Sequence, residues 1–189
     1  MNTQTQIKVW DLPLRVFHWT LVASFLIAYI TEDDFMTVHS YAGYTIMALI
    51  VFRLIWGFIG SQHARFSDFV CTPTATLTYL KDVFYNRSQR YLGHNPAGAA
   101  MVIALLVSLL ITTITGLAVF ATEEGLGPLV SLMDTTPNYI FDAAEDVHDF
   151  FANFTLVLIV FHIIGVVVTS LSHKENLIRS MMTGYKNPE

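Results

Sequence analysis

Long uncharged stretches separated by short polar connections dominate the pattern of this chain. No Asp, Glu, Lys or Arg occurs in residues 16–31, 35–52, 91–122 or 150–173, and apolar side chains predominate in each stretch. A transmembrane helix needs about 20 such residues, so the pattern predicts four spanning helices. The predicted helices lie near 14–31, 38–60, 96–121 and 145–171.

The composition agrees with a membrane protein. Of the 189 residues, 53% are hydrophobic and 13% are charged, and the formal net charge is −5. Disorder requires low hydrophobicity and high charge, and nucleic acid requires a cationic surface, so both are excluded. The single cysteine excludes an intrachain disulfide and any cysteine-based zinc or iron–sulfur centre. We expect one all-α domain over residues 1–189, embedded in the lipid bilayer.

The placement of charge predicts the orientation. All ten Lys and Arg lie outside the two connections 32–37 and 122–144. Cytoplasmic loops are enriched in Lys and Arg. Both termini and loop 61–95 are therefore expected on the cytoplasmic side, and the two cation-free connections on the other side, which is the periplasm if the cell is Gram-negative. Ten of the fifteen acids lie in or beside the two cation-free connections: Glu32, Asp33, Asp34, Glu123, Glu124, Asp134, Asp142, Glu145, Asp146 and Asp149.

Loop 61–95 contains one predicted local element. Thr72-Pro73 is typical of an N-cap followed by the first helical residue. Leu77, Leu80 and Phe84 follow at helical spacing. This pattern indicates a short helix on the membrane surface.

Seven histidines are the main candidates for chemistry, and they fall into two groups. Three lie in polar flanks and are expected to be solvated: His63, His94 and His173. Four lie within or at the ends of predicted spans: His18, His39, His148 and His162. Ionisable residues inside a membrane are costly and usually functional, although a single histidine can simply bond a neighbouring helix.

The spacing of the four histidines suggests two levels in the membrane. Fourteen residues separate His148 from His162, which advances an α-helix by about 21 Å and returns it to within about 40° of the same face. By depth, His39 lies opposite His148 and His18 lies nearest His162. Two imidazoles facing each other across a helical bundle are what bis-histidine haem ligation requires. The sequence thus predicts two stacked haems, each held by one pair.

Four further residues are candidates for cofactor binding, each with a second interpretation. Gly43, Gly116 and Gly165 lie near the histidines and provide either slots for a flat cofactor or close helix packing. Arg53 lies fourteen residues after His39, on a similar face. Its guanidinium either pairs with a haem propionate or snorkels to the inner interface.

Several segments together resemble a known family. They are residues 10–19 (WDLPLRVFHW), 39–44 (HSYAGY), 52–60 (FRLIWGFIG), 64–66 (ARF), 93–96 (GHNP) and 115–116 (TG). Together they resemble the bacterial cytochrome b561 / nickel–iron hydrogenase cytochrome b family over about residues 8–182. The first segment and the two histidines of the fourth span are the most specific parts of the resemblance.

The resemblance implies a four-helix membrane cytochrome with two b haems, whose axial pairs are His18 with His162 and His39 with His148. No Cys-x-x-Cys-His attachment motif is present, in agreement with haem b. Members of the family exchange electrons between the quinone pool and a protein partner. Hydrogenase-linked members commonly carry longer segments, so the compact chain favours a c-type cytochrome partner or a stand-alone role.

The expected function is transmembrane electron transfer, without a catalytic residue of its own. A hydrogenase-anchoring cytochrome subunit and a stand-alone superoxide:quinone oxidoreductase are the alternatives, and acidic loops repel the superoxide anion. A non-redox protein whose histidines bind a transition metal is a further alternative. The sequence also allows a homodimer.

Overall fold

The computed structural model describes residues 6–32, 34–133 and 137–188. Four long helices account for most of the chain, and each is long and apolar enough to cross a membrane. The elements are β1 (Ile7–Lys8), α1 (Leu12–Ile30), α2 (Met36–Ile59), a 3-10 turn (Gln62–Ala64), α3 (Phe66–Phe69), α4 (Pro73–Phe84), α5 (Pro96–Glu123), α6 (Val130–Met133), α7 (Asn138–Ser172), α8 (Leu177–Thr183) and β2 (Tyr185–Lys186). The predicted all-α membrane fold is confirmed.

The boundaries of the spans differ most from prediction at α7. This helix begins at Asn138, whereas the apolar pattern placed its start near 145. Its first turns carry acidic residues, so hydropathy identifies the later, apolar part of the helix but not its polar beginning. Two of the predicted outer acids, Asp33 and Asp134, lie outside the described residues.

The chain divides into two compact units, and each contains a segment of all four long helices. The terminal unit comprises the chain up to Trp19, Phe52–Ala104 and the chain from Ile159 onward. The acidic unit comprises Thr20–Val51 and Leu105–Leu158. All ten Lys and Arg belong to the terminal unit, whereas ten of the fifteen Asp and Glu belong to the acidic unit.

Exposed apolar side chains on the spans face outward, where lipid is the fitting solvent. Leu26 on α1 is 51% exposed and Ile163 on α7 is 55% exposed. In water such surfaces favour association or aggregation. In a bilayer they contact acyl chains while each helix satisfies its own backbone groups.

The predicted short helix in loop 61–95 is present as α4. The Thr72 side chain caps it by accepting a hydrogen bond from the Ala75 backbone N–H, and proline occupies its first turn. Tyr79 is buried, whereas Leu77 and Phe84 are exposed. This division gives α4 one face packed on the protein and one apolar face turned outward.

A two-stranded ribbon ties the chain ends together in the terminal unit. β1 and β2 pair antiparallel, with Ile7 opposite Lys186. Gly184 precedes β2 with φ +91°, and a Cβ there would lie 2.6 Å from the Trp10 carbonyl oxygen. Strands of two residues leave no periodic signal, so the hydrophobic pattern did not predict this ribbon.

Candidate functional site: two histidine pairs

The acidic unit brings His39 of α2 and His148 of α7 together. Their ring centroids are 6.1 Å apart and the ring planes are inclined by 71°. His39 Nδ1 lies 2.9 Å from the Ala28 carbonyl oxygen, and His148 Nδ1 lies 2.8 Å from the Thr112 carbonyl oxygen. Because a carbonyl only accepts, each Nδ1 carries the proton and donates it. The Nε2 atom of each ring is left as the free lone-pair donor, which is the form that binds a metal.

Gly116 on α5 makes room for the His148 ring. A Cβ at this position would lie 2.8 Å from His148 Cε1 and 3.0 Å from its Nδ1. Any side chain here therefore displaces the imidazole that bonds to Thr112, one turn earlier on the same helix. The sequence allowed two interpretations of Gly116, a slot for a flat cofactor or close helix packing. In the structure, the side chain that Gly116 contacts directly is His148.

A cavity of about 360 Å³ lies beside this pair within the acidic unit. Both imidazoles and both glycines, Gly43 and Gly116, line it. A Cβ at Gly43 would have no described heavy atom within 4 Å, so close helix packing does not explain this glycine. The cavity lies within the size range of small-molecule and cofactor sites. Five carboxylates also line it: Glu32, Glu123, Glu124, Glu145 and Asp149.

The terminal unit brings His18 of α1 and His162 of α7 together. Their ring centroids are 6.4 Å apart with the planes inclined by 51°. His18 Nδ1 is buried without a hydrogen-bond partner among the described residues. Gly165, on α7, has no described heavy atom within 4 Å of the position of a Cβ. This pair therefore matches the other in separation but lacks its carbonyl bond at His18.

Arg53 is the largest fully buried side chain of the described residues. It is 2% exposed, so the snorkelling interpretation, which needs a solvated head group, does not fit. Its Cζ lies 4.7 Å from the Phe66 ring centroid and 5.8 Å from that of Phe69. The rings offer cation–π contact, but Nη1 and Nη2 have no hydrogen-bond partner in the described parts of the chain. Such a cation is costly unless an anion meets it.

His94 packs against aromatic rings and is half-buried, so the predicted solvated position is observed only in part. Its ring centroid lies 4.8 Å from Trp10 and 4.6 Å from Phe69, and its Nδ1 is buried without a described partner. Burial, followed by the nearby charges of Arg53 and Lys186, lowers the pKa of His94 to about 3. The sequence did not mark His94 as a site residue, and its one available signal was the Gly-His-Asn-Pro segment.

The other two histidines expected at the surface remain partly exposed. His63 Nδ1 lies 2.9 Å from Asp68 Oδ2, beside the backbone of Gly93. His173 is half-buried. Neither belongs to one of the two histidine pairs.

Comparison with known proteins identifies the family of this chain. The family model described as prokaryotic cytochrome b561 matches residues 9–184. The chain belongs to the prokaryotic cytochrome b561 family. The family expected from the sequence segments is thereby confirmed, and the protein is a b-type cytochrome that binds haem b. No solved structure matches the chain.

Curated relatives of this cytochrome are named as probable Ni/Fe-hydrogenase B-type cytochrome subunits. Those of Azotobacter chroococcum and Azotobacter vinelandii are 24% and 26% identical, and in each case the match covers 98% of this chain and 90% of the relative. A relative of Escherichia coli K12 is 20% identical over 61% of each chain. Because these matches run over 219 and 222 positions, more than the 189 residues of this chain, the Azotobacter relatives carry additional residues within the matched region.

The two histidine pairs fit the axial sites of haem b. A bond of about 2 Å from a transition metal to each Nε2 sets the centroids of two coaxial imidazoles about 6 Å apart, as observed at 6.1 and 6.4 Å. The unpaired Arg53 fork fits a carboxylate such as a haem propionate. The described residues contain no group of three or more His, Cys, Asp or Glu placed to hold a free metal ion.

Proposed function

We propose that this cytochrome carries electrons across the bacterial inner membrane through two bis-histidine haems b. His39 and His148 would be the axial ligands in the acidic unit, and His18 and His162 those in the terminal unit. The separation of the imidazoles in each pair carries this proposal. All 189 residues form a single transmembrane cytochrome b domain in this proposal.

A bound haem b supplies a one-electron ferric–ferrous couple. A haem held by both histidines of a pair would have no free coordination site for oxygen or another substrate. The carbonyls of Ala28 and Thr112 hold His39 and His148 in the tautomer that presents Nε2. Arg53 would pair with a propionate in the terminal unit. These roles describe an electron carrier rather than a stand-alone catalyst.

The charge division between the units supports an orientation. Because every Lys and Arg lies outside connections 32–37 and 122–144, both chain ends and loop 61–95 face the cytoplasm. The two cation-free connections face the periplasm. The carboxylates that line the cavity of the acidic unit would attract a basic surface of a redox protein, with a rate that falls as salt rises.

For the partners, we propose the quinone pool and a nickel–iron hydrogenase. The names of the relatives favour the hydrogenase over the c-type cytochrome expected from chain length. Superoxide remains the enzymatic alternative, and the carboxylates beside His39 and His148 oppose the approach of an anion.

The test begins with the purified cytochrome in lipid nanodiscs. A pyridine haemochrome assay is expected to give two haems b per chain, and gel filtration of the same sample gives its oligomeric state. A stoichiometry of one or none would contradict the two-site proposal. Hydrogen with a nickel–iron hydrogenase, reduced c-type cytochrome and superoxide are then compared as electron donors to the haems, with a quinone analogue as acceptor. Reduction by superoxide alone would overturn the partner proposal.

A further inference from the structure

We propose that the terminal-unit haem has the higher reduction potential, and that Arg53 and the two backbone-bonded histidines of the acidic unit set this order. This inference rests on the proposed function, since it needs a haem at each pair. Two independent features of the structure support it: the charges around each pair, and the hydrogen bonds of the imidazoles.

The first feature is charge. Gaining one electron lowers the charge of a haem by one, so nearby cations favour the reduced state and nearby anions oppose it. In the terminal unit, Arg53 is buried at 2% exposure with both Nη atoms unpaired. The carboxylate of Asp11, in the same unit, accepts hydrogen bonds from the Leu14 backbone N–H and from Trp56 Nε1 instead. The Arg53 guanidinium is therefore free to pair with a haem propionate. Its positive charge also favours the ferrous state of the iron.

The acidic unit has the opposite charge pattern. Carboxylates such as Glu32, Glu124 and Glu145 line the same cavity as His39 and His148. No Lys or Arg of the chain belongs to this unit. A haem there has no protein cation of its own unit to neutralise its propionates. Its surroundings therefore oppose the addition of an electron.

The second feature is the bonding of the imidazoles. A ligand histidine that donates its Nδ1 proton to a carbonyl becomes more basic, which stabilises ferric iron over ferrous iron. His39 and His148 both make this bond, at 2.9 and 2.8 Å. His18 Nδ1 has no partner in the described residues. Ligand basicity thus lowers the potential in the acidic unit, in the same direction as the charges.

The consequence is an equilibrium in which one electron moves from the acidic-unit iron, which becomes ferric, to the terminal-unit iron, which becomes ferrous. A chain given a single electron is expected to hold it at His18 and His162. No proton or further reactant is needed for this exchange.

The experiment is an optical redox titration of the holoprotein in nanodiscs with soluble mediators. Two one-electron steps are expected. Arg53→Gln should lower the upper step and leave the lower step in place, while Arg53→Lys, which keeps the charge, should shift the upper step less. Glu145→Gln should raise the lower step. Asp82→Asn, which removes a carboxylate from α4, serves as the matched charge control and should move neither step.

Axial substitution assigns the steps independently. Methionine in place of an axial histidine raises the potential of a haem, so His148→Met should raise the lower step and His162→Met the upper step. If a variant loses one haem, the surviving step gives the same assignment. An upper step that belongs to His148, or a lower step that responds to Arg53→Gln, would overturn the inference. A wild-type protein without haem would instead overturn the proposed function.

Discussion

The two units differ in whether the buried polar atoms of their histidines and Arg53 have hydrogen-bond partners. In the terminal unit, polar atoms of Arg53, His18 and His94 are buried without partners in the described structure. In the acidic unit, His39 and His148 bond to carbonyls, and Ser108 bonds to Thr155 at 2.7 Å. An unpaired buried group is expensive. The two histidines of the acidic unit are therefore held in place by the chain itself, whereas Arg53 and His18 in the terminal unit keep donors that a bound haem would meet.

The largest expected effect is loss of haem after removal of one axial histidine. His148→Ala and His162→Ala should each reduce haem content from two to one per chain, because each removes one of the two protein ligands of a single site. The pyridine haemochrome assay and the reduced-minus-oxidised spectrum measure this loss. His63→Ala is the control, since His63 belongs to neither pair and should keep both haems. Loss of both haems from either axial variant would contradict separate sites.

The next effect is specific to the acidic unit. Gly116→Ala should displace the His148 ring, because its new Cβ would meet Cε1 at 2.8 Å, and should lengthen the bond to Thr112. We expect weaker haem retention at this site and an altered low-potential step. Thr115→Ala is the control, since Thr115 is the neighbour of Gly116 on α5, does not line the cavity and bonds its hydroxyl within the helix to the Ile111 carbonyl. Full haem retention in Gly116→Ala would contradict the role of this glycine in placing His148.

Sequence reasoning was most successful where periodicity and spacing act over a whole helix. Uncharged length identified the four spans, and the fourteen-residue interval placed two histidines on one face of α7. The partners of those histidines followed from depth alone, and the structure brings the same residues within about 6.4 Å.

The remaining features depend on contacts between distant segments. The acceptors of His39 and His148 are backbone carbonyls, which carry no side-chain signal. His94 stands in a polar segment, yet rings from Trp10 and Phe69 enclose it. Gly116 could be recognised as a small residue, but not as a neighbour of His148. Packing between helices determines these features, and a local pattern does not contain it.

A smaller effect concerns pH and the terminal unit. His94 has a pKa of about 3 in the native state, below the ordinary 6.5, because burial disfavours its charged form. Below about pH 6.5, His94 becomes protonated in the unfolded chain but stays neutral in the native protein. The free energy of unfolding therefore falls as the pH falls. This penalty reaches about 2 kcal/mol at pH 5 and is absent above pH 7.

The measurement is the free energy of unfolding at pH 7.5 and pH 5 for the wild type, His94→Phe and His94→Asn. Both variants lack the titrating group, so each should lose less stability on acidification than the wild type. The comparison is internal to each variant, and the cost of the substitution itself therefore cancels. A wild-type slope identical to that of both variants would show that His94 takes up its proton as readily in the native protein as in the unfolded chain, and would contradict this prediction.

The smallest effect tests whether the acidic unit gains stability from its paired polar groups. Ser108 and Thr155 are 1% and 0% exposed and join α5 to α7. Thr155 Oγ1 also contacts its own-helix Phe151 carbonyl at 2.7 Å, so Ser108→Ala does not leave it unsatisfied. A double-mutant cycle of Ser108→Ala with Thr155→Ala should give a coupling of about 0.6 kcal/mol, the average for such bonds in membranes. Thr115→Ala is the matched control, because its hydroxyl bonds within α5 to Ile111. Two results would contradict this prediction: a cycle without coupling, or a Thr115→Ala variant that loses as much free energy of unfolding as Ser108→Ala. Helix formation and apolar packing would then account for the order of the acidic unit, and polar pairing would matter only at His39 and His148.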